Sequence, residues 1–180
     1  DDDEVYVIGG ANSAGQAAMF LSRTAKSVTI VSRRTLEDSM SHYLIQQIRA
    51  QDNIKELPNT VVHAVKGDGH LEGICLENTR TGGREEFNCG RMFIFIGAEP
   101  RTDWLDGVVV RDDHGFIVAG PDLRDVSGWT LDRPPHHLES SVPGVFVAGD
   151  VRAESAKRVA AAVGEGSMAV MLVHRYLAET

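Results

Sequence analysis

The sequence is poor in cysteine, in long apolar runs and in positive charge. Its two cysteines among 180 residues exclude a disulfide-rich scaffold. No stretch approaches the roughly 18 consecutive apolar residues of a transmembrane helix, so we expect no membrane partner. The net charge of −8 argues against a nucleic-acid partner, because proteins that bind nucleic acid carry an excess of Lys and Arg.

The length of 180 residues and the hydrophobic content of 42% suit one large domain or two small ones. The chain opens with Asp1-Asp2-Asp3-Glu4, without an initiator Met, and an apolar run follows almost at once. We therefore expect the sequence to be part of a longer protein.

The first part of the chain has the pattern of a β-α-β unit. An apolar run at 5–8 ends in a glycine-rich turn, helical composition follows over 16–24, and a second apolar run occupies 28–31. This order predicts an α/β fold whose parallel strands are buried on both faces.

The remaining elements are predicted from periodicity and turn residues. Apolar residues four positions apart predict a second helix over 36–50, where Thr35 and Asp38 resemble a capping box. A long polar loop is predicted over 121–141. The predicted strands lie at 61–65, 71–77, 85–88, 92–96, 108–111, 116–119 and 145–148, and a final helix lies at 157–178.

The turn after the first strand partly matches the Gly-x-Gly-x-x-Gly/Ala pattern of dinucleotide-binding folds, with Gly9, Ala11 and Ala14 at the three positions. In such a turn the backbone N–H groups and the helix N-terminus face a pyrophosphate. Ala11 departs from the pattern, since its methyl group must be tolerated or push the phosphate outward. A tight turn in another kind of α/β domain is the alternative. The candidate binding residues are Gly9, Gly10, Ala11, Asn12, Ser13 and Ala14.

The end of the second strand predicts which dinucleotide binds. An NAD site has an acidic residue here for the ribose 2′-hydroxyl, whereas this chain has Ser32-Arg33-Arg34. Arginine binds a 2′-phosphate through charge-assisted hydrogen bonds, so NADP(H) is favoured over NAD(H). The alternative is a solvated basic pair, and Asp38 is near enough in sequence to pair with either arginine.

A second candidate site follows the predicted strand at 145–148. The strand ends in Gly149-Asp150, and the final helix begins with Lys157-Arg158-Val159. A carboxylate accepts hydrogen bonds from hydroxyl groups, and a helix N-terminus stabilises negative charge. A second interpretation, compatible with the first, is a packed C-terminal helix whose core residues are Val159, Val163, Val170 and Leu177.

These motifs, in this order and spacing, resemble the low-molecular-weight thioredoxin reductases of the pyridine nucleotide-disulfide oxidoreductase superfamily. The resemblance covers nearly the whole chain and is carried by residues 8–18, 32–34, 96–100 and 145–166. It implies an α/β fold with a Rossmann-like, three-layer NAD(P)-binding domain that contains a β-meander. It also implies the C-terminal part of a second, FAD-binding Rossmann-like domain. The implied boundaries are 1–98 for the NADPH-binding domain and 99–180 for the C-terminal half of the FAD-binding domain.

The resemblance also implies roles for individual residues. The Gly97-x-x-Pro100 turn marks the return from the NADPH-binding domain to the FAD-binding domain, and Ile96 and Gly97 are expected among the cofactor-binding residues. Asp150, after Gly149, is expected at the ribityl and phosphate region of FAD. The helix start is expected to face the flavin through backbone N–H groups, although thioredoxin reductases have Arg-Gln-Ala there. The implied residues of this helix start are Lys157, Arg158 and Val159.

The function implied is that of an NADPH-dependent FAD oxidoreductase, cytoplasmic and homodimeric, that passes electrons to a small redox protein or a small-molecule acceptor. No catalytic side chain and no metal ligand is predicted. The adjacent His136 and His137 are interpreted as solvated loop residues, and Cys75 and Cys89 as structural. The first half of the FAD-binding domain and any Cys-x-x-Cys pair are expected upstream of residue 1.

A finer resemblance points to one branch of these flavoproteins. The sequence of residues 9–16, together with Arg133-Pro134-Pro135 and Lys157-Arg158-Val159, resembles that of the branch whose members are often fused to cyclic-nucleotide-binding or response-regulator domains. Members of this branch commonly lack the Cys-x-x-Cys pair, and Ala11 is then their normal residue. Two alternatives stay open: a thioredoxin-disulfide reductase whose redox cysteines lie upstream, and a non-catalytic module that binds or senses NADPH.

Overall fold

The computed structural model of the protein describes residues 3–124 and 129–179. The chain divides into two compact units, Asp1–Gly97 and Ala98–Thr180, which we call the N-terminal unit and the C-terminal unit. None of the helices in the described ranges is long and apolar enough to cross a membrane.

The N-terminal unit alternates strands and helices before it changes to consecutive strands. Its elements are β1 (Glu4–Ile8), α1 (Asn12–Leu21), β2 (Ser27–Val31), α2 (His42–Arg49), β3 (Ile54–Leu57), β4 (Thr60–Lys66), β5 (Gly73–Asn78), β6 (Arg84–Asn88) and β7 (Arg91–Ile94). This order confirms the predicted α/β class.

The central sheet is parallel and has the strand order β3-β2-β1-β7. At the carboxyl end of β1, Ile8 lies in register with Val31 of β2 on one side and Ile94 of β7 on the other. The chain builds outward from β1 to β3 and then returns to the opposite side of β1. The order therefore reverses at β1, and in open parallel sheets ligands bind at the carboxyl ends of the strands beside such a reversal.

Each face of this sheet is covered by a different layer. On one face, Val5 and Val7 of β1 pack in a core with residues of α1 and α2. On the other face, Tyr6 packs with Ile74 and Leu76 of β5, the middle strand of the antiparallel sheet β4-β5-β6. Because the side chains of a strand alternate between faces, β1 contributes to both cores, and the unit has three layers.

The C-terminal unit has little regular structure before its last helix, α3 (Val159–Glu179). Across 98–124 and 129–179 the β-pairs are isolated bridges, such as Ile117 with Arg152, rather than ladders. A small core holds the loops together; its buried members are Val109, Ile117, Ala119 and Val147.

Two predicted helices differ from those observed. The first begins at Asn12, directly after the glycine turn, and not at Gln16. The predicted helix over 36–50 is a 3-10 turn, Leu36–Asp38, followed by α2 from His42. The helix is interrupted because Thr35 and Asp38 form their capping box around the short turn and the chain then reorients before Ser41. The helical periodicity survives because Leu36, Met40, Leu44 and Ile48 are all buried.

Several strand predictions also need correction. β3 was not predicted, because Ile54–Leu57 is short and contains two charged residues. β5 begins at Gly73 rather than at residue 71, and β7 ends at Ile94 rather than at residue 96. The segments predicted as strands at 108–111, 116–119 and 145–148 form only isolated bridges among the described residues: Ile117 bridges to Arg111 and to Arg152, and Phe146 bridges to Glu139.

The packing predicted for the last helix is wrong. Its four proposed core residues are all exposed, from Val170 at 60% to Val159 at 83%. The only buried residue within α3 is Leu172 among those that the structure describes.

Candidate functional site

The turn after β1 is held by the strands on either side of it. The Gly9 N–H donates to the Val31 carbonyl oxygen at 2.9 Å, which ties the turn to the end of β2. Gly9 has φ 143°, and a Cβ atom there would lie 2.4 Å from the Phe95 carbonyl oxygen, directly after β7. Only glycine fits this position without a shift of the backbone.

The next five backbone N–H groups, from Gly10 to Ala14, have no hydrogen-bond acceptor within the described parts of the chain. Helix α1 has neither a side-chain cap nor an acidic residue in its first turn. Free amides at a helix N-terminus form a site for an anion, since the N–H groups and the helix dipole both favour negative charge. The donors present therefore fit a pyrophosphate.

Ala11 is compatible with this turn. Its φ of −94° and ψ of 178° are ordinary extended values, so the position does not require glycine. Ala11 is also exposed. The methyl group that departs from the fingerprint therefore causes no backbone strain and lies at the surface.

The residues after β2 differ in their surroundings. Ser32 is buried, and its hydroxyl donates to the Arg34 carbonyl oxygen at 2.7 Å, which fixes the turn that carries the two arginines. Arg33 and Arg34 are exposed, and neither makes an ion pair with any described residue. Asp38 accepts instead from the backbone N–H and the hydroxyl of Thr35, so it does not pair with either arginine.

Ile96 and Gly97 follow β7 at the same edge of the sheet. Ile96 is 68% exposed, and Gly97 has φ 96° with no atom within 4 Å of a Cβ built there. The structure thus brings the turn after β1, residues 32–34 and residues 96–97 to the carboxyl edge of one parallel sheet.

In the C-terminal unit, an ion pair connects the Gly149-Asp150 turn to α3. Glu165 accepts from the Gly149 N–H at 2.7 Å and pairs with Arg152. The Arg152 guanidinium, aided by the Gly149 N–H, holds the pKa of the Glu165 carboxyl below its usual range. Asp150 itself is exposed.

The start of α3 lies beside this turn. The Lys157 ammonium donates to the Asp150 carbonyl oxygen at 3.4 Å and to Ser155 Oγ at 3.3 Å. Arg158 and Val159 are exposed, and the N–H groups of 159–161 have no acceptor among the described residues. Free amides next to an exposed carboxylate suit a ligand that carries both negative charge and hydroxyl groups.

Comparison with known proteins identifies the family. The profile of the family described as pyridine nucleotide-disulphide oxidoreductase matches residues 1–166. The chain belongs to this family. The resemblance to thioredoxin reductases inferred from the sequence is therefore confirmed.

Relatives of the chain within this family include bacterial thioredoxin reductases. The chain is 36% identical over 180 residues to the Streptomyces clavuligerus thioredoxin reductase, covering 98% of this chain and 50% of that protein. It is 33% identical over 178 residues to the Mycolicibacterium smegmatis thioredoxin reductase, covering 99% and 52%. The chain thus spans about half the length of the curated relatives it matches.

Solved structures of thioredoxin reductases also resemble this chain in fold. The Lactococcus lactis thioredoxin reductase superposes with a TM-score of 0.75 at 28% identity, over 99% of this chain and 54% of that one. The T. acidophilum thioredoxin reductase gives a TM-score of 0.71 at 30% identity, over 98% of this chain and 52% of that one.

One buried group in this family member has no signal in the sequence. The side chain of Glu139 is fully buried and forms a two-pronged ion pair with Arg133, at 2.7 and 2.8 Å. It also accepts from the backbone N–H groups of His136 and Gly144, each at 2.8 Å. The sequence spacing of Arg133 and Glu139 does not predict this ion pair, because the two side chains meet only through the fold of the loop.

The same loop corrects the interpretation of His136 as solvated. Only 9% of its side chain is exposed, its ring stacks on Phe146 and its Nε2 lies 3.4 Å from a carboxylate oxygen of Glu179. Cys75 and Cys89 are buried free thiols, and burial raises the pKa of Cys89. No group of three or more His, Cys, Asp or Glu side chains in the described ranges could hold a metal ion.

Proposed function

We propose that this chain is part of an NADPH-dependent, FAD-containing oxidoreductase that resembles thioredoxin reductases and passes electrons from NADPH through flavin to an acceptor. The observation that carries the proposal is the row of amides from Gly10 to Ala14 with no acceptor among the described residues, together with Arg33 and Arg34, which form no ion pair with any of them. The proposed acceptor is a small redox protein or a small molecule.

The arginines support NADPH over NADH. A planar guanidinium can donate two parallel hydrogen bonds to a phosphate, and neither Arg33 nor Arg34 is neutralised by an acidic partner among the described residues. The backbone after β2 presents Ser32 where an NAD site has a carboxylate. Gly9, Gly10, Ala11, Asn12, Ser13 and Ala14 are proposed to bind the pyrophosphate, and Ile96 and Gly97 to border the site.

The C-terminal unit is proposed to hold part of FAD. Asp150 would accept hydrogen bonds from ribityl hydroxyls, and the amides at the start of α3 that have no acceptor among the described residues would stabilise negative charge on the flavin. When bound, the flavin and the nicotinamide supply the redox chemistry, while the protein binds and orients them. The proposed residues are Gly149, Asp150, Lys157, Arg158 and Val159.

The domain assignment follows from these two sites. We place the NADPH-binding domain at 1–98 and the C-terminal half of the FAD-binding domain at 99–180. The homodimeric state and cytoplasmic location that the resemblance implies are part of the same proposal.

Replacement of Arg33 tests the choice of dinucleotide. In the 180-residue chain, Arg33→Asp is expected to lower the affinity for NADP⁺ about tenfold or more, because a charge-assisted hydrogen bond is lost and repulsion is added. The affinity for NAD⁺, which lacks the 2′-phosphate, should fall much less. Isothermal titration with both nucleotides measures the difference.

The matched control is Arg23→Asp, which makes the same charge change beyond the other end of α1 and should alter neither affinity. Equal losses for the two nucleotides in Arg33→Asp would contradict the assignment of the 2′-phosphate.

A second candidate function is an NADPH-binding module without turnover. It is favoured by the C-terminal unit, whose described residues form isolated bridges instead of a sheet. The visible flavin absorbance of the chain after addition of FAD and removal of the excess distinguishes the two. A colourless chain that binds NADP⁺ and oxidises no NADPH supports the module; a yellow chain supports the oxidoreductase.

Reduction of a thioredoxin disulfide is the remaining alternative. It needs an accessible pair of redox cysteines, and the cysteines of this chain, Cys75 and Cys89, are both buried. A redox pair for that reaction therefore has to come from outside these 180 residues.

A further inference from the structure

The glycine turn is contacted by a segment that the dinucleotide fingerprint does not include. Residues 39–41, which we call the serine segment, lie between the 3-10 turn and α2. The Ser39 hydroxyl donates to the Gly10 carbonyl oxygen at 3.0 Å. The backbone N–H and the hydroxyl of Ser41 donate to Asn12 Oδ1 at 2.8 and 3.0 Å.

The hydrogen bond from Ser39 fixes the orientation of the whole Gly10–Ala11 peptide group and not only that of the Gly10 carbonyl. A trans peptide is planar, and its C=O and N–H groups point in opposite directions. A donor that holds the Gly10 carbonyl oxygen on one side therefore directs the Ala11 N–H to the other side. That N–H is one of the five that have no acceptor in the described ranges.

The turn needs such a restraint at this peptide. Gly9 and Gly10 are adjacent, and glycine is the least restricted residue in its backbone angles. Gly9 is held by Val31, whereas the carbonyl of Gly10 is held from outside the turn by Ser39.

The packing around Gly10 also explains why Ser39 can reach it. A Cβ atom at Gly10 would lie 3.2 Å from the Cβ of Ser32 and 3.6 Å from Ser39 Oγ. The missing side chain thus leaves the space in which the hydroxyl approaches the backbone, on the side of the turn that faces Ser32.

We propose that Ser39 is a positioning residue for the phosphate-binding turn: it orients the Gly10–Ala11 peptide so that the Ala11 N–H is ready to donate to the pyrophosphate. This inference rests on the proposed function, because it assigns the turn to a dinucleotide. Ser39 acts through the backbone and does not itself contact the ligand.

The test uses three ligands with the 180-residue chain: NADP⁺, NAD⁺ and adenosine 2′-monophosphate, which has the 2′-phosphate but no pyrophosphate. Ser39→Ala is expected to lower the affinities for NADP⁺ and NAD⁺ by the same factor, about two- to tenfold for one lost hydrogen bond. Binding of adenosine 2′-monophosphate should not change. Arg33→Asp should show a different pattern, with lower affinity for the two ligands that carry the 2′-phosphate, NADP⁺ and adenosine 2′-monophosphate.

Two variants separate positioning from general damage. Ser39→Thr keeps the hydroxyl and should restore affinity for both dinucleotides. Ser22→Ala removes another serine hydroxyl that donates to a backbone carbonyl, that of Met19, and should leave all three ligands unaffected.

The outcomes are distinct. Wild-type affinity of Ser39→Ala for both dinucleotides would overturn the inference and leave the proposed function standing. Equal weakening of all three ligands would also overturn it, because Ser39 would then be structural only. Failure of the unmodified chain to bind NADP⁺ would overturn the proposed function and this inference together.

Discussion

The two units of the chain build their structure in different ways. The N-terminal unit has two sheets, and its central strands are covered on both faces. The C-terminal unit has isolated bridges in its described residues, and the long helix α3 leaves apolar side chains such as Val163 and Leu177 in contact with solvent. Both units leave some apolar side chains exposed, but the N-terminal unit has two buried cores, whereas the C-terminal unit has one small core and a largely exposed helix.

The units also differ in the contacts that fix their loops. In the N-terminal unit, ladders of backbone hydrogen bonds fix the strands, and side-chain hydrogen bonds such as that of Ser32 to the Arg34 carbonyl hold the loops that follow them. In the C-terminal unit two ion pairs, Arg133 with Glu139 and Arg152 with Glu165, hold loop segments in place. These ion pairs act together with backbone hydrogen bonds such as that from the Val147 N–H to the Leu138 carbonyl oxygen.

The largest expected effect concerns the separated units. Residues 1–97 alone should unfold cooperatively on heating, because both of their cores are complete within the unit. Residues 98–180 alone should show no cooperative transition and should bind a hydrophobic dye, because their buried core is small. Circular dichroism and dye fluorescence measure both properties. Cooperative unfolding of residues 98–180 without dye binding would contradict the expected difference in stability between the two units.

The next effect concerns the buried ion pair. Arg133→Met should reduce the stability of the C-terminal unit by about 3–5 kcal/mol, because it leaves the buried Glu139 carboxylate without its cation. Arg49→Met, which removes solvent-accessible pairs with Glu37 and Glu56 in the N-terminal unit, should cost far less, because Arg49 is half exposed. Native-state hydrogen exchange, read separately for each unit, gives the two losses.

The pH dependence of that stability provides a second readout. Burial raises the pKa of Glu139, but its hydrogen bonds from Arg133, Gly144 and His136 outweigh this and hold the pKa below its ordinary value. A carboxyl with a lowered pKa in the folded state stabilises the fold above its unfolded pKa of about 4.3. This stability is lost as the pH falls through the folded pKa. Unchanged stability of the C-terminal unit across this acid range would contradict the prediction.

The smallest effect concerns glycines. Gly164 lies inside α3, and no atom of the described residues lies within 4 Å of where its Cβ would be, so Gly164→Ala should stabilise the chain by about 0.5–1 kcal/mol. Gly9→Ala in the N-terminal unit should do the reverse, because a backbone oxygen occupies the space. Thermal unfolding of the two variants measures the signs. If Gly164→Ala is destabilising, the face of α3 around it is packed in solution.

The parts of the fold that could be predicted are those governed by local pattern. The strand, glycine turn, helix and strand at the start follow from apolar runs and glycine, and the burial of Leu36, Met40, Leu44 and Ile48 follows from their spacing. The capping box of Thr35 and Asp38 has a sequence signal, but the start of α2 at His42 could not be predicted, because the preceding Ser41 is held by Asn12, which is 29 residues away.

For the candidate site, the fingerprint located the glycine turn and the arginines, whose roles in binding stay predictions. Ser39 was not found because a serine that bonds to a distant carbonyl has no sequence signature. The exposure of Val159 and Val163 was also not predictable, because helical periodicity shows which residues share a face but not what covers that face.

Lys157 has a consequence for how the sequence can evolve. Its φ of 48° belongs to the left-handed region, which costs a non-glycine residue about 1–2 kcal/mol. Its ammonium compensates by lying 3.8 Å from the centroid of the Phe116 ring and by its bonds to Asp150 and Ser155. Glycine satisfies the backbone and loses the contacts, whereas a shorter polar residue cannot reach the ring. Positions 116 and 157 are therefore expected to change together across orthologues, with an aromatic residue at one accompanied by a long cation at the other.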